Sequence, residues 1–177
     1  MVEKPLVVGI GYKARQGKNI LAQKIVEALE PGTAQICSFA TALKAFCRAS
    51  GWMTAKDPRI LQIVGTDLMR SINPDVWVNC LRYQLEEERP DVALITDMRF
   101  PNEFDFCKER GFTIRLARLN EDGSQFLADD RPSDHPSEIA LDGRNDFDFG
   151  FQVRTGDRQT LGRLAGIIAT EIEKRLA

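Results

Sequence analysis

Residues Val7–Asn19 read VVGIGYKARQGKN, an apolar run that breaks into glycines and then the pair Gly17-Lys18. A loop of this kind can hold phosphate, because glycines let the backbone turn sharply and the loop offers amide N–H groups beside the positive end of the following helix. Counting back from Gly17 in the spacing G-x-x-x-x-G-K-[ST] puts Tyr12 where the first glycine belongs. Gly11 is therefore expected to take that role, in a loop one residue longer than usual. Lys13 and Arg15 add positive charge beside Lys18, with Ala14 and Gln16 between them. Asn19 stands where a hydroxyl residue usually ligates magnesium, and Ile20 cannot replace it, so a metal must rest on phosphates, water and an acid elsewhere. Asp97, closing the run VALITD, is the acid chosen: at a strand edge it can hold a magnesium-bound water or accept a proton. The plainer alternatives are a glycine turn capping an ordinary helix, and an aspartate capping a helix before Arg99-Phe100-Pro101.

These residues need a frame. Leu6–Ile10 is a continuous apolar run of the sort a parallel strand covered on both faces requires, and Ile20, Leu21, Ile25, Ala28 and Leu29 follow with helical spacing. Ala34–Phe39 reads as a second strand, with Thr41 capping a helix toward Ala49. Asp57-Pro58 opens a helix toward Met69, and Asn73-Pro74-Asp75 repeats the signal before Trp77–Glu87. Val92–Thr96 and Phe112–Ala117 are strands flanking a helix from about Asn102 to Arg110, Phe149–Val153 is a fifth strand, and Thr160–Leu176 a closing helix. Leu119–Pro136 is polar and aperiodic and is taken as a mobile segment. Alternating strands and helices predict an α/β fold of three layers, a mostly parallel five-stranded sheet with helices on both faces. Ligands then bind beyond the carboxyl ends of the strands, after Ile10, Phe39 and Thr96.

The 177 residues, with 43% hydrophobic and 28% charged side chains, suit one globular domain over 1–177. A net charge of −2 with both signs interspersed gives no field for gathering nucleic acid. Cys37, Cys47, Cys80 and Cys107 form no C-x-x-C pair, which disfavours structural zinc and a redox motif and fits a reduced, cytoplasmic protein with thiols packed as small hydrophobes. No apolar run approaches the roughly 20 residues that span a bilayer, so no membrane partner is expected.

Four ordered segments carry a resemblance. TDMRFPNE (Thr96–Glu103) looks like the D-x-R-F-P-N-E signature of bacteriophage deoxynucleoside monophosphate kinases. SFATALK (Ser38–Lys44), GTDLMRSINPDVWVN (Gly65–Asn79) and DHPSEIALD (Asp134–Asp142) resemble further segments of that family in the same order. The resemblance implies a P-loop nucleoside monophosphate kinase fold with ATP on the loop Gly11–Asn19, a deoxynucleotide under helices spanning about 41–89, and a homodimer; the polar segment of about 119–136 is read as a lid that closes to expel water. The family commonly reads Gly-Lys-Asp-Thr where this chain has Gly-Lys-Asn-Ile, which bears on the Mg2+ site.

Bringing two phosphate anions together demands cations, and arginine gives forked, two-point recognition. Arg70, Arg99 and Arg131 are chosen beside Lys18 and Asp97 as the catalytic set, with Lys44 reaching the acceptor phosphate. Asp67, Asn79 and Asn102 offer polar edges to a base or sugar; Trp77 is either a stacking face for a base or a core residue. His135 is read as packing or capping, since transfer to a phosphate has no proton that must be removed, and Ser137 as an N-cap. Two rivals stand beside this reading: a P-loop kinase of another small molecule, and a nucleotide-binding protein that lost turnover.

Overall fold

The computed structural model describes residues 5–130 and 132–177. Its strands are β1 (Leu6–Gly11), β2 (Ala34–Cys37), β3 (Val92–Met98), β4 (Gly111–Leu119) and β5 (Phe149–Arg154), in the sheet order β2-β3-β1-β4-β5. Every pairing in that sheet is parallel. The chain thus makes an α/β fold, with the ends of β2, β3 and β1 side by side, β2 at the sheet edge and β1 at its centre.

Strand periodicity explains the two cores. Val8 and Ile10 of β1 and Val92 and Leu94 of β3 face one way, packing on Leu21, Ala22 and Ile25 of α1 (Lys18–Ala28) and on Ile168 and Ile172 of α8 (Arg158–Leu176). Val7, Ala93 and Ile95 face the other way, onto Phe104 and Cys107 of α6 (Pro101–Arg110) and Leu81 and Leu85 of α5 (Val76–Glu88). Burying each such side chain contributes roughly 1.5–3 kcal/mol, which is why apolar runs in the strands are continuous rather than alternating.

Two close approaches fix the strands. A Cβ at Gly111 would lie 2.1 Å from the Val7 carbonyl, so only glycine lets β4 start against β1. Between β1 and β3 the register passes from Gly9↔Ile95 to Gly11↔Met98, one residue more on β3, so a bulge falls at Thr96-Asp97. Such a bulge re-aims the side chain it contains.

Between β2 and β3 lie α2 (Ala40–Ala49), α3 (Pro58–Gln62), a π-helical turn (Ile63–Leu68), α4 (Met69–Ile72) and α5. The helix expected from Asp57 to Met69 is therefore capped as foreseen, Asp57 accepting from the Arg59 N–H at 2.8 Å, but it widens into the π turn halfway. The short helix α7 (Pro136–Ile139) is capped by His135, whose Nδ1 accepts from the Ser137 N–H at 3.2 Å. Ser137 is thus inside the helix rather than its cap. Residues 119–126 are not without structure: Leu119 bridges Gln125, and the turn between is closed by the Asn120 N–H donating to the Ser124 carbonyl at 2.8 Å. Cys37, Cys47 and Cys107 are buried free thiols, pushed above the ordinary value mainly by burial. No helix among the described residues is long and apolar enough to cross a membrane.

Candidate active site

The loop after β1 turns on a tyrosine. Tyr12 has φ 95°, Arg15 φ 55° and Gly17 φ 93°, and the Tyr12 N–H donates to the Met98 carbonyl at 3.3 Å. Tyr12 therefore adopts the left-handed backbone a glycine would supply at the first position of the usual spacing, and the loop has the ordinary length. This corrects the expectation of an extended loop opened by Gly11. Gly11 answers a different need, since a Cβ there would meet the Met98 methyl at 2.5 Å and its carbonyl at 3.1 Å. A bulky residue held at positive φ costs about 1–3 kcal/mol and persists only where its surroundings over-determine it. Here the Tyr12 ring is buried, with the Arg115 guanidinium 4.1 Å from its centroid.

Lys18 is 6% exposed and its ammonium donates back to the carbonyls of Tyr12 and Lys13, inside the bend. Gly17 caps α1 without a side-chain bond, so the first amides of that helix have no acceptor within it, the usual condition for anion binding. The side chains between are mostly committed elsewhere. Lys13 donates to the Glu138 carbonyl at 2.7 Å and pairs with Asp142 at 2.8 Å, so its charge is directed at α7 rather than beside Lys18. Gln16 donates to the Ala14 and Phe126 carbonyls at 3.0 Å each and accepts from the Arg118 N–H, fastening the loop to the segment after β4. Arg15 pairs with Asp130 at 2.8 Å, and Asn19 is exposed.

A cleft of about 370 Å³ opens beside this loop, lined among others by Ala14, Lys44, Arg70, Trp77, Asp97 and Arg99. Asp97, re-aimed by the bulge, accepts from Ser38 Oγ at 2.6 Å and from the Phe39 and Ala40 N–H groups at 2.9 and 3.0 Å. It thus caps α2, not the helix that follows it in sequence. Arg70 pairs with Glu103 and donates to the Pro74 carbonyl at 2.9 Å, its guanidinium 4.1 Å from the Phe100 ring centroid. Arg99 pairs with Glu138, whose other oxygen accepts the Ala14 N–H at 2.8 Å. One buried carboxylate therefore ties an arginine of the cleft to the loop. Lys44 has no hydrogen bond or ion pair among the described residues.

Glu103, only 2% exposed, is a group that the sequence did not place among the site residues. It accepts the Arg99 N–H at 2.7 Å and the Phe100 N–H at 3.1 Å besides pairing with Arg70. Burial drives its carboxyl up to about 7, outweighing the lowering by Arg70 and by those two amides. Its position three residues into a Pro-opened helix was the available signal.

The remaining candidates divide. Trp77 lines the cleft and is buried, its Nε1–H donating to the Gly65 carbonyl at 2.9 Å. Asp67 is exposed and faces His135, Oδ1 to Nε2 3.7 Å. Asn102 does not line the cleft; it donates to the Pro74 carbonyl and to Asp75, fastening the start of α6 to the loop before α5. Arg131 lies outside the described residues.

For Mg2+, no group of three or more potential ligands occurs among the described residues. Asp97 keeps the fit through Oδ1, which among the described residues accepts only the Phe39 N–H while Oδ2 accepts two bonds; magnesium bound to a nucleotide retains water and needs only one or two carboxylates.

No family model matches the sequence. Over 87 residues it is 34% identical to the deoxynucleoside-5'-monophosphate kinase of Escherichia phage T5, covering 47% of this chain and 34% of that protein. It is 31% identical over 110 residues to the putative deoxynucleotide monophosphate kinase of Acanthamoeba polyphaga mimivirus, covering 55% and 53%. The chain thus spans about a third and about half of the curated relatives it matches. In fold it is similar to a shikimate kinase from Acinetobacter baumannii (TM-score 0.55, 17% identity, 98% and 96% covered) and to a putative kinase from Chloroflexus aurantiacus (0.53, 11%, 95% and 98%). Part of its sequence is similar to these viral deoxynucleotide monophosphate kinases, and its fold is that of the P-loop kinases.

Proposed function

We propose that this chain phosphorylates deoxynucleoside monophosphates at the expense of ATP. An oxygen of the acceptor phosphate attacks the γ-phosphorus in line, the bond to the β–γ bridging oxygen breaks, and ADP and a deoxynucleoside diphosphate leave. The observation that carries this reading is one cleft lined by Ala14 and Arg15 of the Tyr12–Lys18 bend, by the cations Arg70, Arg99 and Lys44, and by a helical wall.

Lys18 and the amides from Arg15 to Asn19 hold the β and γ phosphates of ATP, the Ala14 amide being taken by Glu138. Arg99 and Arg70 arrive already oriented by Glu138 and Glu103, so little side-chain freedom is lost when the acceptor phosphate binds. Lys44, with no carboxylate of its own among the described residues, supplies further charge for that phosphate. Asp97 would hold Mg2+ through water beside the bound ATP, and the ion would neutralise part of the polyphosphate charge. Residues 119–136, already fastened to the loop through Gln16 and Arg15, exclude water that would hydrolyse ATP. The names of the relatives support the acceptor class; a homodimer rests on the resemblance, a single domain over 1–177 on length and composition, and a cytoplasmic place on the cysteines, and all three are part of the same proposal.

A second reading has its own observation: Asn19-Ile20 puts no hydroxyl behind the loop lysine, which favours a nucleotide-binding protein with weak or lost transfer. A coupled ADP assay with dAMP, dGMP, dCMP, dTMP, hydroxymethyl-dCMP, their ribo forms, gluconate and dephospho-coenzyme A decides. Turnover with at least one deoxynucleotide supports the proposal. Turnover only with gluconate or dephospho-coenzyme A retires it, and ATP binding by calorimetry without any transfer supports the second reading.

A further inference from the structure

The helical wall of the cleft carries a polar group that the protein leaves unmet. Gln62 lines the cleft and is 9% exposed, and its Nε2 is buried with no hydrogen-bond partner among the described residues. Leaving a buried donor unpaired is costly, and folded proteins rarely do so without a purpose. This chain meets the requirement at comparable groups: the buried Gln16 amide is bonded at both its nitrogen and its oxygen, and Trp77 Nε1, on the same wall, has the Gly65 carbonyl. Two other buried nitrogens among the described residues, His135 Nε2 and Arg144 Nε, also lack a hydrogen bond, but neither residue lines the cleft, as Gln62 does.

Its surroundings describe what would meet it. Gln62 closes α3 where the helix widens into the π turn, and Gly65 and Thr66, three and four residues on, share its face and line the cleft with it. Leu43 packs against Gly65, where an added Cβ would come within 2.5 Å, and Trp77 closes the other side through its bond to the same residue. With Phe39 and Leu61 these supply apolar lining to a cleft whose cations include Arg70, Arg99 and Lys44. Apolar walls with one well-placed polar group suit a heteroaromatic ring that presents donors and acceptors on one edge. The terminal torsion of glutamine is soft, so either end of the amide turns to the cleft at little cost.

We propose that Gln62 reads the hydrogen-bonding edge of the acceptor base and sets which deoxynucleotide is preferred. This rests on the acceptor class proposed above. The test uses Gln62→Leu, with Gln62→Met as a second apolar variant of similar size. Each is compared with the unaltered protein for binding of dAMP, dGMP, dCMP and dTMP by calorimetry, for kcat/KM with each, and for Tm. Because the amide makes no bond in the free protein, Tm is expected to hold or rise. The preferred nucleotide is expected to lose about tenfold to a hundredfold in affinity and kcat/KM while the poorest changes by less than about threefold, so that the ratio between them collapses; KM for ATP stays. Variants that keep the original ratios overturn the inference, as does a fall in Tm with a uniform loss for all four bases, or an unaltered protein that discriminates less than about twofold. Binding of deoxynucleotides without transfer would contradict the kinase reading while the affinity ratios still judge Gln62. Binding of none of the four would sink both.

Discussion

Glu103→Gln isolates the most unusual electrostatic feature of the cleft. Burial raises the Glu103 carboxyl from 4.5 to about 7, although Arg70 and two backbone amides oppose the shift. The folded protein therefore binds this proton more tightly than the unfolded chain. The stability it contributes is fully present below pH 4.5 and is lost as pH rises through about 7. A shift of that size corresponds to about 3 kcal/mol of stability. Glutamine does not titrate, so its stability curve lacks that loss, whatever constant cost the substitution carries for Arg70. Urea unfolding of both proteins from pH 4.5 to 8, extrapolated to water, is expected to show the variant gaining about 3 kcal/mol on the unaltered protein over that range. Parallel curves would show that Glu103 ionises as freely in the fold as in water, and that burial is not what governs it.

Lys18→Ala is expected to lower turnover by about a hundredfold or more, because it removes a cation from the transferring group; near-normal activity would mean the donor site is misplaced. Lys13→Met should lower stability by about 1–3 kcal/mol, read from the urea midpoint, since it leaves Asp142 alone, while calorimetry still finds ATP bound. Gly111→Ala forces a methyl onto the Val7 carbonyl and is expected to cost about 3 kcal/mol, or to prevent folding, as measured by thermal melting. Asp97→Asn weakens the cap on α2 by about 0.5–2 kcal/mol and should raise the Mg2+ concentration needed for half-maximal rate; an unchanged Mg2+ dependence would take Asp97 out of the metal's surroundings.

The strands and long helices were legible because their signals are local: apolar runs such as Leu94-Ile95, capping pairs such as Asp57-Pro58, and the 3.6-residue stripe of α8. The loop's length was misread because a glycine was sought where a left-handed backbone was needed, and Tyr12 holds that backbone under tertiary constraint from Arg115 and Met98. The helix from Asp57 to Met69 hid its π turn, since the Trp77 bond to Gly65 that accompanies it comes from a different helix. The same limit applies to charge. Lys13, Arg70 and Arg99 could be picked as cations from sequence, but their partners lie 129, 33 and 39 residues away, so their commitments to Asp142, Glu103 and Glu138 had no local trace. Asn102 was picked for its polarity, and it meets a turn rather than the cleft. Asp97 was placed by its strand edge; the bulge that turns it onto α2 depends on register, which periodicity does not encode.

The central claim is that donor and acceptor phosphates meet between the Tyr12–Lys18 bend and Arg70, Arg99 and Lys44. A crystal structure with a bisubstrate analogue, adenosine joined through a polyphosphate to a deoxynucleoside, tests it most directly. The account predicts the adenosine-side phosphates on the amides of that bend, with Lys18 swung from its backbone carbonyls onto them, and the deoxynucleoside end in the cleft. A polyphosphate lying away from the bend, with Lys18 still bonded to Tyr12 and Lys13, would contradict it.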